Sequence, residues 1–184
     1  MKKTLIGILV VVILVVLYGF STYNSLVTLN VGADTQWKQV ETNYQRRFDL
    51  IPNLVESVKG VMKQEQTVFT AIADARTRYS GATTPSDRAA AANQVESALG
   101  RLLVITENYP QLKSSETVQS LMSQLEGSEN RISVERMRYN DAVKSYNLLV
   151  RSFPINIVAK SFGFAEKTYF EAAEGADVAP AVSL

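Results

Sequence analysis

The sequence predicts an all-α protein, with an N-terminal transmembrane helix followed by an antiparallel bundle of three long helices and a short C-terminal helical segment. Three observations support this class. A long apolar segment without charge lies near the N-terminus, apolar residues then recur every three or four positions, and short clusters of turn residues interrupt that pattern. We expect a membrane anchor with its juxtamembrane segment over residues 1–33, a helical bundle domain over 34–173 and a mobile tail over 174–184.

Residues 4–23 predict the transmembrane helix. The segment carries no charged residue, and about 20 helical residues cross a hydrocarbon core of about 30 Å. A cleaved signal peptide with a small-residue site at 19–21 is the alternative, but more apolar sequence follows where a processing boundary is expected. The end of the segment carries three aromatic residues of the kind enriched at membrane interfaces, Tyr18, Phe20 and Tyr23.

The charges on either side of this segment predict its orientation. Lys2 and Lys3 precede it, and the next cation in the chain is Lys38. Because cytoplasmic flanks carry an excess of lysine and arginine, we expect a cytoplasmic N-terminus and a body on the extracytoplasmic side. Gly7 and Gly19 are too far apart for a close-packing glycine pair, so the anchor gives no dimer signal and oligomerisation stays open.

The first bundle helix contains a proline within a regular apolar pattern. Pro52 removes one backbone donor and crowds the preceding turn, so a helix that includes it must kink or restart. The pattern favours a kink, with one helix that runs on to about Tyr79. The apolar stripe that crosses the proline consists of Trp37, Val40, Tyr44, Phe48, Ile51, Val55, Val58 and Met62.

Turn residues then separate the remaining helices. A cluster over residues 80–86 ends the first helix, and Ser86 or Asp87 is expected to cap the next, which closes near 109–110. A third long helix is expected from about 118 to 151, then a short helical turn over 155–160 and an aromatic segment that docks back on the bundle. Because the connections are short, neighbouring helices should run antiparallel.

Composition excludes several classes of function. Cysteine and histidine are absent, which removes disulfides, thiolate zinc sites and the commonest general base. Lys2 and Lys3 supply two of the 19 basic residues, which leaves 17 against 18 acidic residues and gives no basic surface for nucleic acid. Phosphate-binding, nucleophile-elbow and zinc-protease motifs are absent. Carboxylates alone could form a di-metal site in a bundle, but that pattern normally includes histidine. We therefore expect no cofactor and no enzymatic activity.

Polar residues on or beside the predicted stripes are the candidate functional residues. Arg46, Asp49 and Asn53 share one face of a continuous first helix, and the third helix repeats the pattern with arginine and asparagine. Buried charges survive by pairing, which favours a structural network that fixes helix register. The alternative is a groove at Pro52 that binds a peptide or partner helix. The candidates are Arg46, Arg47, Asp49, Asn53, Glu107, Asn108, Glu129, Asn130, Arg136, Asn140 and Asn147.

Several segments carry a resemblance that covers nearly the whole chain. They are YNSLV at 23–27, the tryptophan at 37, RRFDLIPNLVESVKG at 46–60, ENYPQLK at 107–113, SENRI at 128–132, RYNDAVKSYN at 138–147 and FP at 153–154. Together they resemble the LemA family of bacterial membrane proteins. The resemblance implies an N-terminal membrane helix, an antiparallel helical bundle and no established enzymatic activity. It also implies a body in the cytoplasm, whereas Lys2 and Lys3 favour the opposite side.

The expected function is that of a membrane-anchored interaction or scaffold protein of the bacterial cell envelope. A single-pass location in the inner (cell) membrane makes the lipid bilayer one partner, and a protein of unknown identity is expected as another. The alternative is a ligand-sensing or substrate-receptor subunit for a membrane protease or transporter. In that case Arg46, Arg47, Asp49 and Asn53 would line the binding site.

Overall fold

A computed structural model describes residues 2–170 and contains helices without any strand over that range. This confirms the all-α class. The elements are α1 (Lys2–Lys59), α2 (Gln66–Gly81), α3 (Pro85–Thr106), α4 (Pro110–Lys113), α5 (Glu116–Arg151) and α6 (Ile155–Ser161). The expected mobile tail over 174–184 lies outside the described residues.

The first helix differs from the expectation at its C-terminal end. α1 continues through Pro52 and ends at Lys59, so the prediction of one helix that reaches Tyr79 was wrong. Residues 60–65 form turns in which the amides of Val61 and Met62 both donate to the carbonyl of Val58. Met62 is nevertheless fully buried. The apolar spacing therefore continues across the turn, and spacing alone could not show that the helix ends there.

The connection between α2 and α3 contains the N-cap of α3, which lies two or three residues before the position that the sequence predicts. Thr84 is the N-cap of α3, and its hydroxyl accepts from the amide of Asp87 at 3.1 Å. Pro85 occupies the first helical position, where its fixed backbone angle suits a helix start. The expected caps, Ser86 and Asp87, therefore lie inside the first turn of α3, which runs to Thr106.

The C-terminal helices match the expectation closely. α5 ends at Arg151 and α6 follows as a helix of seven residues. Gly163 has a φ of 76° directly after α6, a conformation that favours glycine. The amide of Phe164 then donates to the carbonyl of Ala159 at 2.9 Å, which closes the end of α6.

Two compact units make up the described chain, and α1 and α5 contribute to both. Over the described residues, unit 1 consists of 2–38 and 138–168, and unit 2 of 39–137 and 169–170. Within unit 1, Trp37 and Tyr139 pack with ring centroids 5.2 Å apart. Within unit 2, the ring of Phe48 lies 4.6 Å from that of Tyr79.

The N-terminal part of α1 is the one candidate membrane span among the described residues. Its large apolar side chains from Leu5 to Leu17 are all exposed, and burial begins only at Thr22 and Leu26. An uncovered apolar helix of this length is suited to a lipid environment. The finding agrees with the predicted anchor over residues 4–23.

Candidate functional site

A cluster of paired charges in unit 2 is the most developed polar feature of the described chain. α1 places Tyr44 and Arg47 one helical turn apart, beside the buried side chains of Val40 and Phe48. α3 contributes Glu96, and α5 contributes Glu129 and Arg136. We call these five residues the Glu96 network, which consists of Tyr44, Arg47, Glu96, Glu129 and Arg136.

Glu96 lies at the centre of this network. Its Oε1 atom accepts a hydrogen bond from the hydroxyl of Tyr44 at 3.1 Å and another from Arg136. Arg136 also donates to the oxygen of Tyr44, and the Nη1 atom of Arg47 lies 3.7 Å from the same carboxylate oxygen. One carboxylate therefore joins α1 to α5 through hydrogen bonds and ion pairs.

Arg47 is the most buried charged side chain in the network. Its side chain is 9% exposed, and it forms an ion pair with Glu129, which is 37% exposed. The Nε atoms of Arg47 and Arg136 are buried and have no hydrogen-bond acceptor among the described residues. Pairing with carboxylates is what makes the burial of these guanidinium groups tolerable.

The electrostatics of the network balance almost completely. Two arginines face two glutamates, so the fully ionised cluster carries no net charge. Burial raises the pKa of the Glu96 carboxyl above its ordinary value, while Arg136 and Arg47 lower it. Burial and the nearby Glu96 also raise the pKa of Tyr44 well above the usual range, so its hydroxyl stays protonated and acts as a donor.

Aromatic side chains cover the arginine at the edge of this network. The guanidinium carbon of Arg136 lies 4.4 Å from the ring centroid of Phe170 and 5.4 Å from that of Tyr44. Both distances are within the range of cation–π attraction. The sequence predicts that the aromatic C-terminal segment docks on the helices, and within unit 2 Phe170 packs on Arg136 of α5.

A second ion pair lies in the same unit. Arg88 of α3 pairs with Glu41 of α1, and its Nε atom donates to the carbonyl of Ala82 at 3.0 Å. The side chain of Glu41 is only 15% exposed. Tyr79 lies nearby, and burial, followed by the charge of Glu41, raises the pKa of its hydroxyl to about 12.

Unit 1 contains a separate polar contact around Asn147. The side-chain amide of Asn147 donates to the carbonyl of Lys167 at 2.8 Å and accepts from the amide of Lys167 at 2.8 Å. The Nζ atom of Lys167 lies 2.6 Å from Asp34 of α1. These contacts hold the segment after α6 against α5 and α1.

The structure brings together three of the eleven candidate residues, Arg47, Glu129 and Arg136. Asn147 is buried in unit 1, and Asn140 is half-buried. The functional roles of the eleven candidates stay predictions. The remaining six are exposed, namely Arg46, Asp49, Asn53, Glu107, Asn108 and Asn130.

Sequence reasoning missed Tyr44 and Glu96 as members of the network. Tyr44 was assigned to the apolar stripe, where its hydroxyl was overlooked. Glu96 lies four residues after Ala92 and three before Leu99, both of which are buried. A carboxylate at helical spacing within an apolar stripe was a signal that could have identified it.

Open grooves on unit 2 are lined by described residues. One of about 590 Å³ lies between α2 and α3 and includes Arg78 and Arg101. Another of about 480 Å³, which we call the Arg46 groove, contains Arg46 and Arg131 with amide and hydroxyl groups. The third, of about 290 Å³, is an apolar cleft with a charged edge. It is lined by Leu99, Leu103, Met122, Leu125, Arg47, Glu126 and Glu129.

The family model of LemA matches residues 36–184, which is most of the chain and includes the whole Glu96 network. The chain belongs to the LemA family. This confirms the resemblance that the sequence segments between residues 23 and 154 indicate.

Curated relatives of this LemA protein include magnetosome proteins. Magnetosome protein MamQ 2 of Paramagnetospirillum magneticum is 27% identical over 175 residues, which covers 81% of this chain and 64% of the relative. Magnetosome protein MamQ of Magnetospirillum gryphiswaldense is 26% identical over 174 residues, with 80% and 64% coverage. The match thus spans less than two thirds of the length of these relatives. Among residues 2–170, no group of three acidic side chains is placed to hold a metal ion.

Proposed function

We propose that this LemA protein is a membrane-anchored interaction or scaffold protein of the bacterial cell envelope. The observation that carries the proposal is the continuity of α1. One helix of 58 residues includes the uncovered apolar segment and then the buried positions from Leu26 onward. A continuous helix transmits position and orientation more stiffly than a flexible linker does. The role of the anchor is therefore to hold the helical body close to the bilayer.

The order of contacts in unit 2 supports an antiparallel bundle as the body of this scaffold. Tyr44 of α1 contacts Arg136 of α5, and Arg47, further along α1, contacts Glu129, which is earlier in α5. Residue numbers thus rise along one helix as they fall along the other. Short connections favour the same arrangement for α2 and α3.

The Glu96 network supports a binding function over an enzymatic one. Its carboxylates are already paired with arginines, and Tyr44 is a protonated donor in the centre. Groups that satisfy one another have little capacity left to activate a substrate. We propose that the network fixes the register of α1, α3 and α5, so that the surface grooves keep their shape.

The apolar cleft beside the network is the proposed contact surface for a protein partner. A photo-cross-linking amino acid at Leu103, which lines the cleft, should give a discrete protein adduct in intact cells. The matched control is Arg101, which lies on the same helix but lines a different groove. An adduct at Leu103 and none at Arg101 supports the proposal. If probes in the cleft and in the Arg46 groove both give no adduct, the interaction function is refuted.

The side of the membrane on which the body lies can be tested separately. The chain has no cysteine, so a Ser114→Cys substitution in the exposed turn before α5 creates one labelling site. A membrane-impermeant maleimide should label it in cells with an intact inner membrane, since Lys2 and Lys3 favour a cytoplasmic N-terminus. Labelling only after lysis would place the body in the cytoplasm and would contradict the lysine-based orientation.

The Arg46 groove favours a second candidate, a ligand-sensing or substrate-receptor subunit for a membrane protease or transporter. Arg46 and Arg131 face an open space lined with amide and hydroxyl groups, an arrangement that suits an acidic peptide. A photo-cross-linker at Asn43, which lines this groove, should then give an adduct that Arg46→Gln and Arg131→Gln abolish without changing the melting temperature. An adduct that persists in both variants excludes this candidate.

A further inference from the structure

Exposed apolar residues lie in α6 and directly before and after it, within unit 1. Phe153, Ile157 and Phe162 are 81%, 58% and 64% exposed. Isolated exposed apolar residues are common, but three large ones within ten residues of a short helix and its flanks form a surface feature. We call residues 153–162 the α6 hook.

The α6 hook contacts the end of the candidate membrane span. The rings of Phe162 and Phe164 both pack edge-on against the ring of Tyr23, with centroids 5.0 Å and 5.7 Å from its centroid. Tyr23 is the last residue of the predicted span over residues 4–23, and burial of α1 begins next to it at Thr22. The hook therefore lies where α1 passes from uncovered to protein-covered helix.

Distances along α1 and α5 within unit 1 also place the hook near the end of the candidate span. Trp37 and Tyr139 are in ring contact and provide a common reference point on the two helices. Tyr23 lies 14 residues before Trp37, about 21 Å along the helix, and Arg151 lies 12 residues after Tyr139, about 18 Å along α5. The end of α5, and with it the start of the hook, is thus near the level of Tyr23.

The charges around the hook suit a phospholipid surface. Lys160 is exposed in the last turn of α6, and Arg151 at the end of α5 is exposed beside Glu166 at 3.3 Å. Aromatic and branched apolar side chains with a flanking lysine are typical of segments that lie in the membrane interface. Tyr23 itself is the kind of residue that marks this layer.

We infer that the α6 hook inserts Phe153, Ile157 and Phe162 into the interfacial layer of the same bilayer that α1 crosses, while Lys160 faces the lipid phosphates. The inference goes beyond the proposed scaffold function and rests on residues 4–23 being the membrane span. The lipid surface is the partner because the hook contacts Tyr23 at the end of that span. A second point of attachment would fix the rotation of unit 1 on the membrane, which a single helix leaves free.

The test uses nitroxide labels on the full-length protein, reconstituted at one copy per nanodisc with zwitterionic and anionic phospholipids. Ile157→Cys and Phe162→Cys report on the hook, because the natural chain has no cysteine. Val12→Cys lies within the span, and Asp141→Cys is an exposed site on α5 about 15 Å before its end. Collision rates with lipid-soluble oxygen and with a water-soluble nickel chelate give the immersion of each label.

The ratio of oxygen to chelate collision rates decides the outcome. We expect ratios at Ile157 and Phe162 that approach the ratio at Val12 and clearly exceed the ratio at Asp141. Hook ratios equal to that at Asp141, with Val12 in lipid, would overturn the inference but leave the membrane anchor intact. Labels shielded from both reagents would show coverage by protein and would also overturn it. A low ratio at Val12 as well would refute the anchor itself, and the hook with it.

Discussion

Removal of Arg136 is the sharpest test of the Glu96 network. An Arg136→Met substitution keeps much of the apolar stem but leaves the carboxylate of Glu96 without its hydrogen-bonded arginine. Loss of one member of a buried ion pair costs about 3 to 5 kcal/mol. The side chains of Arg136 and Glu96 are 19% and 22% exposed, so we expect the low end of that range. A loss of about 3 kcal/mol lowers the melting temperature of a chain of this size by roughly 6 to 12 °C.

The assay is thermal unfolding of the full-length protein in detergent, followed by circular dichroism at 222 nm. The matched control is Arg131→Met, which makes the same change at an exposed position on the same helix. Exposed substitutions of this kind usually alter the free energy of unfolding by less than about 0.5 kcal/mol. If the two variants melt together, the network does not stabilise the fold and the reasoning fails.

The same variant has a predicted pH dependence. Burial raises the pKa of Glu96 and Arg136 lowers it, so removing Arg136 should raise that pKa further. A carboxyl with a raised folded-state pKa contributes stability that is complete below its unfolded-state pKa and is lost as pH rises through the folded-state value. The deficit of Arg136→Met should therefore be smaller at about pH 5 than at about pH 8, since an ordinary glutamate titrates near 4.3. An equal deficit at both values would show that Glu96 carries no unpaired charge in the variant.

Three further predictions concern stability and can be measured by the same melts. Thr84→Ala removes the N-cap of α3 and should cost about 1 kcal/mol, whereas Thr83→Ala at the exposed neighbouring position should cost little. Tyr79→Phe should be neutral or stabilising, because the buried hydroxyl of Tyr79 has no hydrogen-bond partner among the described residues. Tyr44→Phe should instead lower the free energy of unfolding by about 1 kcal/mol or more, because it removes the hydrogen bond to Glu96. Asn147→Leu should lower the free energy of unfolding by about 1 to 3 kcal/mol and expose the segment after α6 to proteases. Asn147→Asp keeps the acceptor and should lose less stability. An equal loss in both variants would contradict a two-sided hydrogen bond.

The Asn147 variant also tests the α6 hook. Unit 1 contains both the candidate span and the hook, and the contacts of Asn147 hold the segment after the hook in place. Loosening that segment should therefore affect the attachment of unit 1 to lipid as well as its stability. The nitroxide ratio at Phe162 in an Asn147→Leu background measures this link directly, and an unchanged ratio would show that the two features are independent.

The sequence by itself determined the helical class, the uncharged candidate membrane span, the approximate bounds of α5 and the short α6. These features depend on patterns along the chain, namely the helical period of apolar residues and the length needed to cross a bilayer. Local turn chemistry was less decisive, because buried Met62 continued the apolar spacing across the turn that ends α1. The N-cap of α3 is Thr84 and not one of the expected residues, because several side chains in that turn are able to cap a helix.

Only the tertiary structure decided which polar residues belong to the site. Arg46 and Arg47 are neighbours with the same chemistry, but successive side chains on a helix point about 100° apart. The rotation of α1 against α3 and α5 buries Arg47 and leaves Arg46 exposed. The partner of Arg47 is Glu129, 82 positions away in the chain, and that of Arg136 is Glu96, 40 positions away. Such pairings follow from packing between helices, and no spacing along a single helix contains them.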